Sequence, residues 1–146
     1  MNIPFDITLS LRSGTVYNFE HREFHSVEPH FFVVLNSDAL SQQVLLMSVF
    51  TSKVEKQIRG IKRAGHADET LVEISPSDYS ELSVESCVNC NKVFSKPLAE
   101  LISQWPNVRK KPTDLPPEIL GKIIVGVELS KVVAEEEKAL IRISGS

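Results

Sequence analysis

The chain is poor in cysteine and has no long apolar run. Its two cysteines, Cys87 and Cys90, are too few to frame a disulfide-stapled secreted domain. No stretch approaches the roughly eighteen apolar residues of a membrane span. The most apolar run, 44–50, is interrupted by Ser48 and is only strand-sized. Neither sign of charge dominates: 16 Lys and Arg against 19 Asp and Glu give −3, which announces neither a nucleic-acid nor a membrane partner. The opening Met1-Asn2-Ile3-Pro4-Phe5-Asp6 lacks the basic and apolar regions of a secretory signal, so a reduced, cytoplasmic setting is expected. A Walker loop, a GxGxxG turn, an HExxH helix and a GxSxG elbow are all missing.

What is present is the composition of an ordinary globular domain, 42% hydrophobic and 24% charged over 146 residues. A chain of this size buries about two-thirds of its unfolded surface and needs neither disulfide nor metal to hold a core. One domain over 1–146 is expected, with a barrel core about 5–94 and a helical segment about 97–143. Phe5, Ile7, Leu9 and Leu11 alternate with polar residues as in a half-buried strand, and Ser13-Gly14 would turn it into a hairpin with 15–19. Segments 30–36 and 43–52 are β-branched and aromatic on both faces, as in central strands. Asn36-Ser37-Asp38 opens the turn between them. The period then changes: Val54, Ile58 and Ile61 share one side of a helix, with Lys56, Arg59 and Arg63 roughly opposite and Gly65 as its cap.

Further strands are expected at 70–74 and 85–94, a single turn at Ser75-Pro76, and a short helix from 95 to 102. Arg109-Lys110-Lys111-Pro112 reads as a basic linker. Asp114-Leu115-Pro116-Pro117 is a helix entry, followed by the stripe Ile119, Leu120, Ile123, Ile124 and Val127. Residues 130–143 continue that helix or form another. Short strands followed by helices predict an α+β fold on a small barrel.

Candidate chemistry concentrates in 20–30, which carries His21, His25 and His30 with Arg22 and three glutamates. Histidine transfers protons at neutral pH and arginine stabilises a developing anion. RNA cleavage by internal transesterification requires no more than these groups, although a merely solvated polar loop has the same composition. Cys87-x-x-Cys90 could pair with His21 and His25 as a zinc site, but residues three apart on a strand face opposite ways, and two inert buried thiols are the expectation. The basic helix face fits phosphates or plain solvation. Asn89 and Asn91, on one face of the expected strand, fit a base edge, a phosphate oxygen or neighbouring backbone.

The order of these segments resembles the PemK/MazF-like toxins of toxin–antitoxin systems. Gly14-Thr15-Val16-Tyr17 resembles that family's Gly-Asp-Ile-Val/Tyr opening, and His30-Phe31-Phe32-Val33-Val34-Leu35-Asn36 its Arg-Pro-x-Val-Val-Leu-Ser strand. Phe50-Thr51-Ser52 resembles the Thr-Ser end of the next strand, residues 86–93 a later Cys-Asp-containing strand, and 117–129 the closing helix. The resemblance spans about 14–129. It implies an SH3-like β-barrel with peripheral and C-terminal helices, a homodimer, metal-independent and cofactor-free cleavage of single-stranded RNA, and a cognate antitoxin as partner. Where some members have Arg-Cys-Asp, this chain has Asn89-Cys90-Asn91, so an arginine and a carboxylate are replaced by amides that cannot act as acid or base. Activity would then rest on Arg22 as cation and His25 and His30 as acid and base, with Thr51, Asn89 and Asn91 contacting substrate. The alternative is a catalytically degenerate barrel that binds RNA or a protein through the same groove. A zinc-stapled structural module is a third reading.

Overall fold

The computed structural model describes residues 3–19 and 30–145, the side chains of 143–145 excepted. Its centre is the antiparallel run of β1 (Val16–Phe19), β2 (His30–Val34) and β3 (Val44–Thr51). Register follows the side-chain pattern. Val16 opposes Val33 on one face of the sheet, while Tyr17 opposes Phe32 on the other. Both pairs are buried, because the sheet is covered on both sides.

The β2–β3 connection is held by a buried amide. Asn36 Nδ2 donates to Gln42 Oε1 and to the Val44 carbonyl, each at 2.8 Å, and its Oδ1 accepts from the Leu46 N–H at 2.9 Å. Between these strands lies the short helix α2 (Ala39–Gln42). On the far side of β3, β5 (Ser86–Asn89) pairs with its end and β6 (Phe94–Pro97) with its beginning. The strand β4 (Leu71–Ile74) pairs with β5, and the two-residue β7 (Arg109–Lys110) pairs with β1. The path β4-β5-β3-β2-β1-β7, with β6 beside β3, makes a seven-stranded sheet. Its two ends do not pair among the described residues, so the α+β fold expected from the sequence is borne out with an open sheet.

Helices cover the two faces. On one, α1 (Phe5–Ser10) and α4 (Leu98–Gln104) enclose Tyr17, Phe19, Phe32, Leu45 and Met47. Lys96, 1% exposed, is buried here with its Nζ 2.6 Å from Gln104 Oε1 and 5.0 Å from the centre of the Phe19 ring. On the other face, α5 (Pro117–Leu129) and α6 (Glu135–Gly145) cover Val33, Leu46, Phe50 and Val88. The stripe read from α5 docks as expected, with Ile123 and Val127 in the core. Lys138 closes its C-terminal end by donating to the Glu128 and Ser130 carbonyls at 3.0 and 2.6 Å. The basic helix is α3 (Val54–Ala64), capped as expected by Gly65 at φ 73°. No helix among the described residues is long and apolar enough to cross a membrane.

Several expectations fail. The alternating segment 5–11 forms the helix Phe5–Ser10 with Leu11 as its C-cap, and Ile7 and Leu11, four apart, are buried while Phe5 and Leu9 stay 72% and 64% exposed. The expected hairpin through Ser13-Gly14 is therefore absent, and β1 pairs instead with β2 and β7. The single strand at 85–94 is two strands, β5 and β6, separated by a turn, and the expected helix from 95 begins only at Leu98. The basic linker contributes β7, so the sheet extends beyond residue 94 to Lys110.

On α5, Gly126 lies tight against Cys90 and Glu69. A Cβ there would lie 2.6 Å from Cys90 Sγ and 2.8 Å from the Glu69 carbonyl oxygen. Gly126→Ala is expected to destabilise the fold by about 1–3 kcal/mol through overpacking. Gly121→Ala on the same helix, where a Cβ meets nothing within 4 Å, should stabilise it by up to about 1 kcal/mol. Denaturant unfolding of both variants checks this, and equal shifts would contradict it.

Candidate functional site

The strands β2 and β3 are antiparallel, so the start of β2 and the end of β3 lie at the same edge of the sheet. His30 and Phe31 come from β2, and Phe50 and Thr51 from β3. With Ser52, Lys53, residues 81–84 and Ser86 they line a cleft of about 460 Å³. His30 and Thr51 are half-buried, whereas Ser52 and Lys53 are exposed. Thr51 Oγ1 accepts the Lys53 N–H at 3.1 Å, tying the strand end to the first turn of α3. Lys111 Nζ lies 5.0 Å from the centre of the Phe31 ring, which brings a second ammonium to the same edge. Glu81 also lines the cleft, and its Oε2 accepts the Thr113 N–H at 3.1 Å. The cleft thus combines an imidazole, hydroxyls, one ammonium group and one carboxylate, with the Lys111 ammonium near Phe31.

Arg22 and His25 lie in 20–29, outside the described residues. The residues on either side of that segment, Phe19 and His30, are register partners across β1 and β2.

Asn89 and Asn91 are not in this cleft. They line a separate groove of about 320 Å³ against α3, with Lys56, Gln57, Gly60 and Lys92. Asn89 Oδ1 accepts both the Asn91 backbone N–H and Asn91 Nδ2, each at 3.0 Å. This is an Asx turn, and it is what ends β5 where the sequence suggested a continuous strand. Asn89 Nδ2 reaches Gln57 Oε1 at 3.1 Å, and Asn91 Nδ2 reaches Thr70 Oγ1 at 2.9 Å. Of the six residues expected to act together, the four that are described divide: His30 and Thr51 share a cleft, and the two asparagines share another. The sequence reading placed Lys111 in a linker and gave Lys53 and Glu81 no part in the site. Their only signal was charge, which carries no information about which edge of the sheet they reach.

Cys87 and Cys90 are both fully buried and unpaired. Burial pushes the Cys87 thiol up to about 11, with a smaller contribution from Glu73, and the Cys90 thiol up to about 12, with a smaller one from Cys87. Such thiols are poor nucleophiles and poor metal ligands at neutral pH. His21 and His25, which a zinc site would need, lie outside the described residues.

No protein-family model and no curated protein matches the chain. Its fold is similar to that of a solved endoribonuclease from a mycobacterial species, with 16% identity over 87% of this chain and 89% of that chain at a TM-score of 0.50. A second solved structure, a mycobacterial endoribonuclease in complex with its cognate antitoxin, shows 14% identity over 80% of this chain and 89% of that chain, at a TM-score of 0.49. At these identities the likeness is one of fold. The resemblance read from the order of segments is borne out at that level.

The raised thiols carry a pH dependence of known sign. Both bind their protons more tightly when folded than at the ordinary value of 9.0. Their contribution to stability is full below pH 9 and is lost as the pH rises towards 11 and 12. In denaturant titrations across that range, Cys90→Ala should lose less stability than the unmodified chain. Equal losses would contradict the assignment.

Proposed function

We propose that the chain is a toxin-type endoribonuclease that cleaves single-stranded RNA without a metal ion, at the cleft lined by His30 and Thr51. What supports the reading is that these two side chains, twenty-one positions apart in sequence, meet beside Lys53 in one cleft. The fold likeness to a solved endoribonuclease points the same way. The neutral Asn89-Cys90-Asn91 does not count against it, because those amides lie in another groove and their loss of charge leaves the cleft's own groups in place.

The chemistry is internal transesterification. One imidazole takes the proton of the ribose 2′-hydroxyl as the 2′-oxygen attacks phosphorus. The bond to the 5′-oxygen breaks, and the second imidazole protonates that leaving oxygen, so the product ends are a 2′,3′-cyclic phosphate and a 5′-hydroxyl. His30 and His25 take the two imidazole roles. Arg22 and Lys53 balance the charge of the pentacovalent phosphate, and Thr51 donates its hydroxyl to a phosphate oxygen. The same reading includes a homodimer, cytoplasmic action and restraint by a cognate antitoxin.

The test is incubation of the purified chain with a long, unstructured RNA in excess EDTA, with analysis of the product ends. Cyclic phosphate termini are expected, and His30→Ala and Thr51→Ala, purified identically, should each lower the rate by about a hundredfold or more. Intact RNA from a folded, antitoxin-free protein would overturn the reading in favour of a degenerate binding barrel. Unchanged rates in both variants would remove the cleft as the site.

A further inference from the structure

The groove between α3 and the turn after β5 takes no part in the reaction just described, yet its lining is chemically selective. Its ionisable side chains are Lys56, Lys92 and His66, and no carboxylate lines it among the described residues. The rest of its polar lining is made of the carboxamides of Gln57, Asn89 and Asn91. We propose that this groove is a second RNA subsite, holding a nucleotide that flanks the one at the His30–Thr51 cleft. The nature of the ligand rests on the ribonuclease reading above.

Three observations carry the proposal. The first is charge. Lys56 lines the groove from α3, with Arg59 and Arg63 following it at helical spacing outside the lining, and Lys92 lines the groove from the turn. A groove with ammonium groups on both sides and no carboxylate in its lining takes an anion, and a phosphodiester supplies one per nucleotide.

The second is unspent hydrogen-bonding capacity. Asn91 Nδ2 is committed to Thr70 and Asn89, and Thr70 Oγ1 spends its own proton on the Ala67 carbonyl at 2.6 Å, which fixes the orientation of the Asn91 amide. Asn91 Oδ1 is then left buried without a partner among the described residues. Gln57 uses its Oε1 for Asn89, which leaves its Nε2 to donate. A free donor and a buried, unsatisfied acceptor on the carboxamides of one groove are the complement of a nucleobase edge.

The third is space. Gly60 sits inside α3, where glycine costs about 1 kcal/mol relative to alanine. A Cβ there would meet nothing within 4 Å, so no neighbour requires the glycine. Its missing side chain leaves the groove open.

The groove and the cleft are joined by the same two elements. Lys53 at the start of α3 lines the cleft and Lys56 the groove; Ser86 of β5 lines the cleft and Asn89 the groove. Ser86 and Asn89, three apart on β5, face opposite ways across roughly 10 Å, so the path between the two sites runs along α3 from Lys53 to Lys56, a distance that a short run of nucleotides bridges.

The experiment measures binding, so it does not depend on turnover. A fluorescently labelled, mixed-sequence single-stranded RNA is titrated with the His30→Ala chain by anisotropy, across a range of salt concentrations. Adding Lys56→Glu and Lys92→Glu should weaken binding at least tenfold and lower the slope of log affinity against log salt by about 1.5 or more. Adding Gly60→Leu should also weaken binding while leaving the melting temperature unchanged or higher, which separates occlusion of the groove from misfolding. Unchanged affinity in both variants would overturn the subsite even if the chain cleaves RNA. A poly-glutamate peptide that binds as tightly as RNA and is lost in the same variants would overturn it in favour of an acidic protein segment.

Discussion

Everything in this molecule is hung on β3. Its eight residues pair with β2 along one edge, and on the other with β6 at the beginning and β5 at the end. Its side chains serve both cores. Leu46 and Phe50 face α5 and α6, and Leu45 and Met47 face α1 and α4. A strand buried on both faces tolerates no slip in register, because a shift of one residue would exchange the two cores. Asn36 secures that register at the entry to β3, with three hydrogen bonds made inside the protein at 2.8, 2.8 and 2.9 Å. Breaking a satisfied buried amide of this kind costs about 1–3 kcal/mol per group left unpaired.

The site follows from the same strand. Because β3 ends beside the start of β2, Thr51 and His30 are brought to one edge, and because α3 begins three residues later, its N-cap Lys53 is brought there with them. Because β5 pairs with the end of β3, its continuation runs past the cleft, and the Asx turn at Asn89 places the amides under α3 instead. The separation of the two clusters is therefore a consequence of strand pairing and one local turn.

The parts of the fold that were legible in the sequence are those whose pattern has one physical solution. Segments apolar on both faces became central strands, the stripe of 119–127 became a docked helix, and Gly65 became the cap of α3. Residues 5–11 were ambiguous because Ile7 and Leu11 satisfy a helical spacing as well as an alternating one, and packing beneath α1 chose the helix. The break after Asn89 was written in a turn-forming residue, but the apolar pattern resuming at Val93-Phe94 concealed it. A two-residue edge strand such as β7 has no periodicity to read. For the site, residue types were legible and neighbourhood was not: nothing in the sequence says that Thr51 meets His30 while Asn91 does not.

The central claim is that RNA lies along the edge where β2 and β3 meet and α3 begins. The most direct measurement is photo-crosslinking of a long RNA containing 4-thiouridine to the His30→Ala chain, with the crosslinked peptides identified by mass spectrometry. Crosslinks in the peptides carrying Phe31, 50–53 and α3 are the predicted result. Crosslinks confined to the opposite face, on α1, Trp105 and α4, would contradict the account.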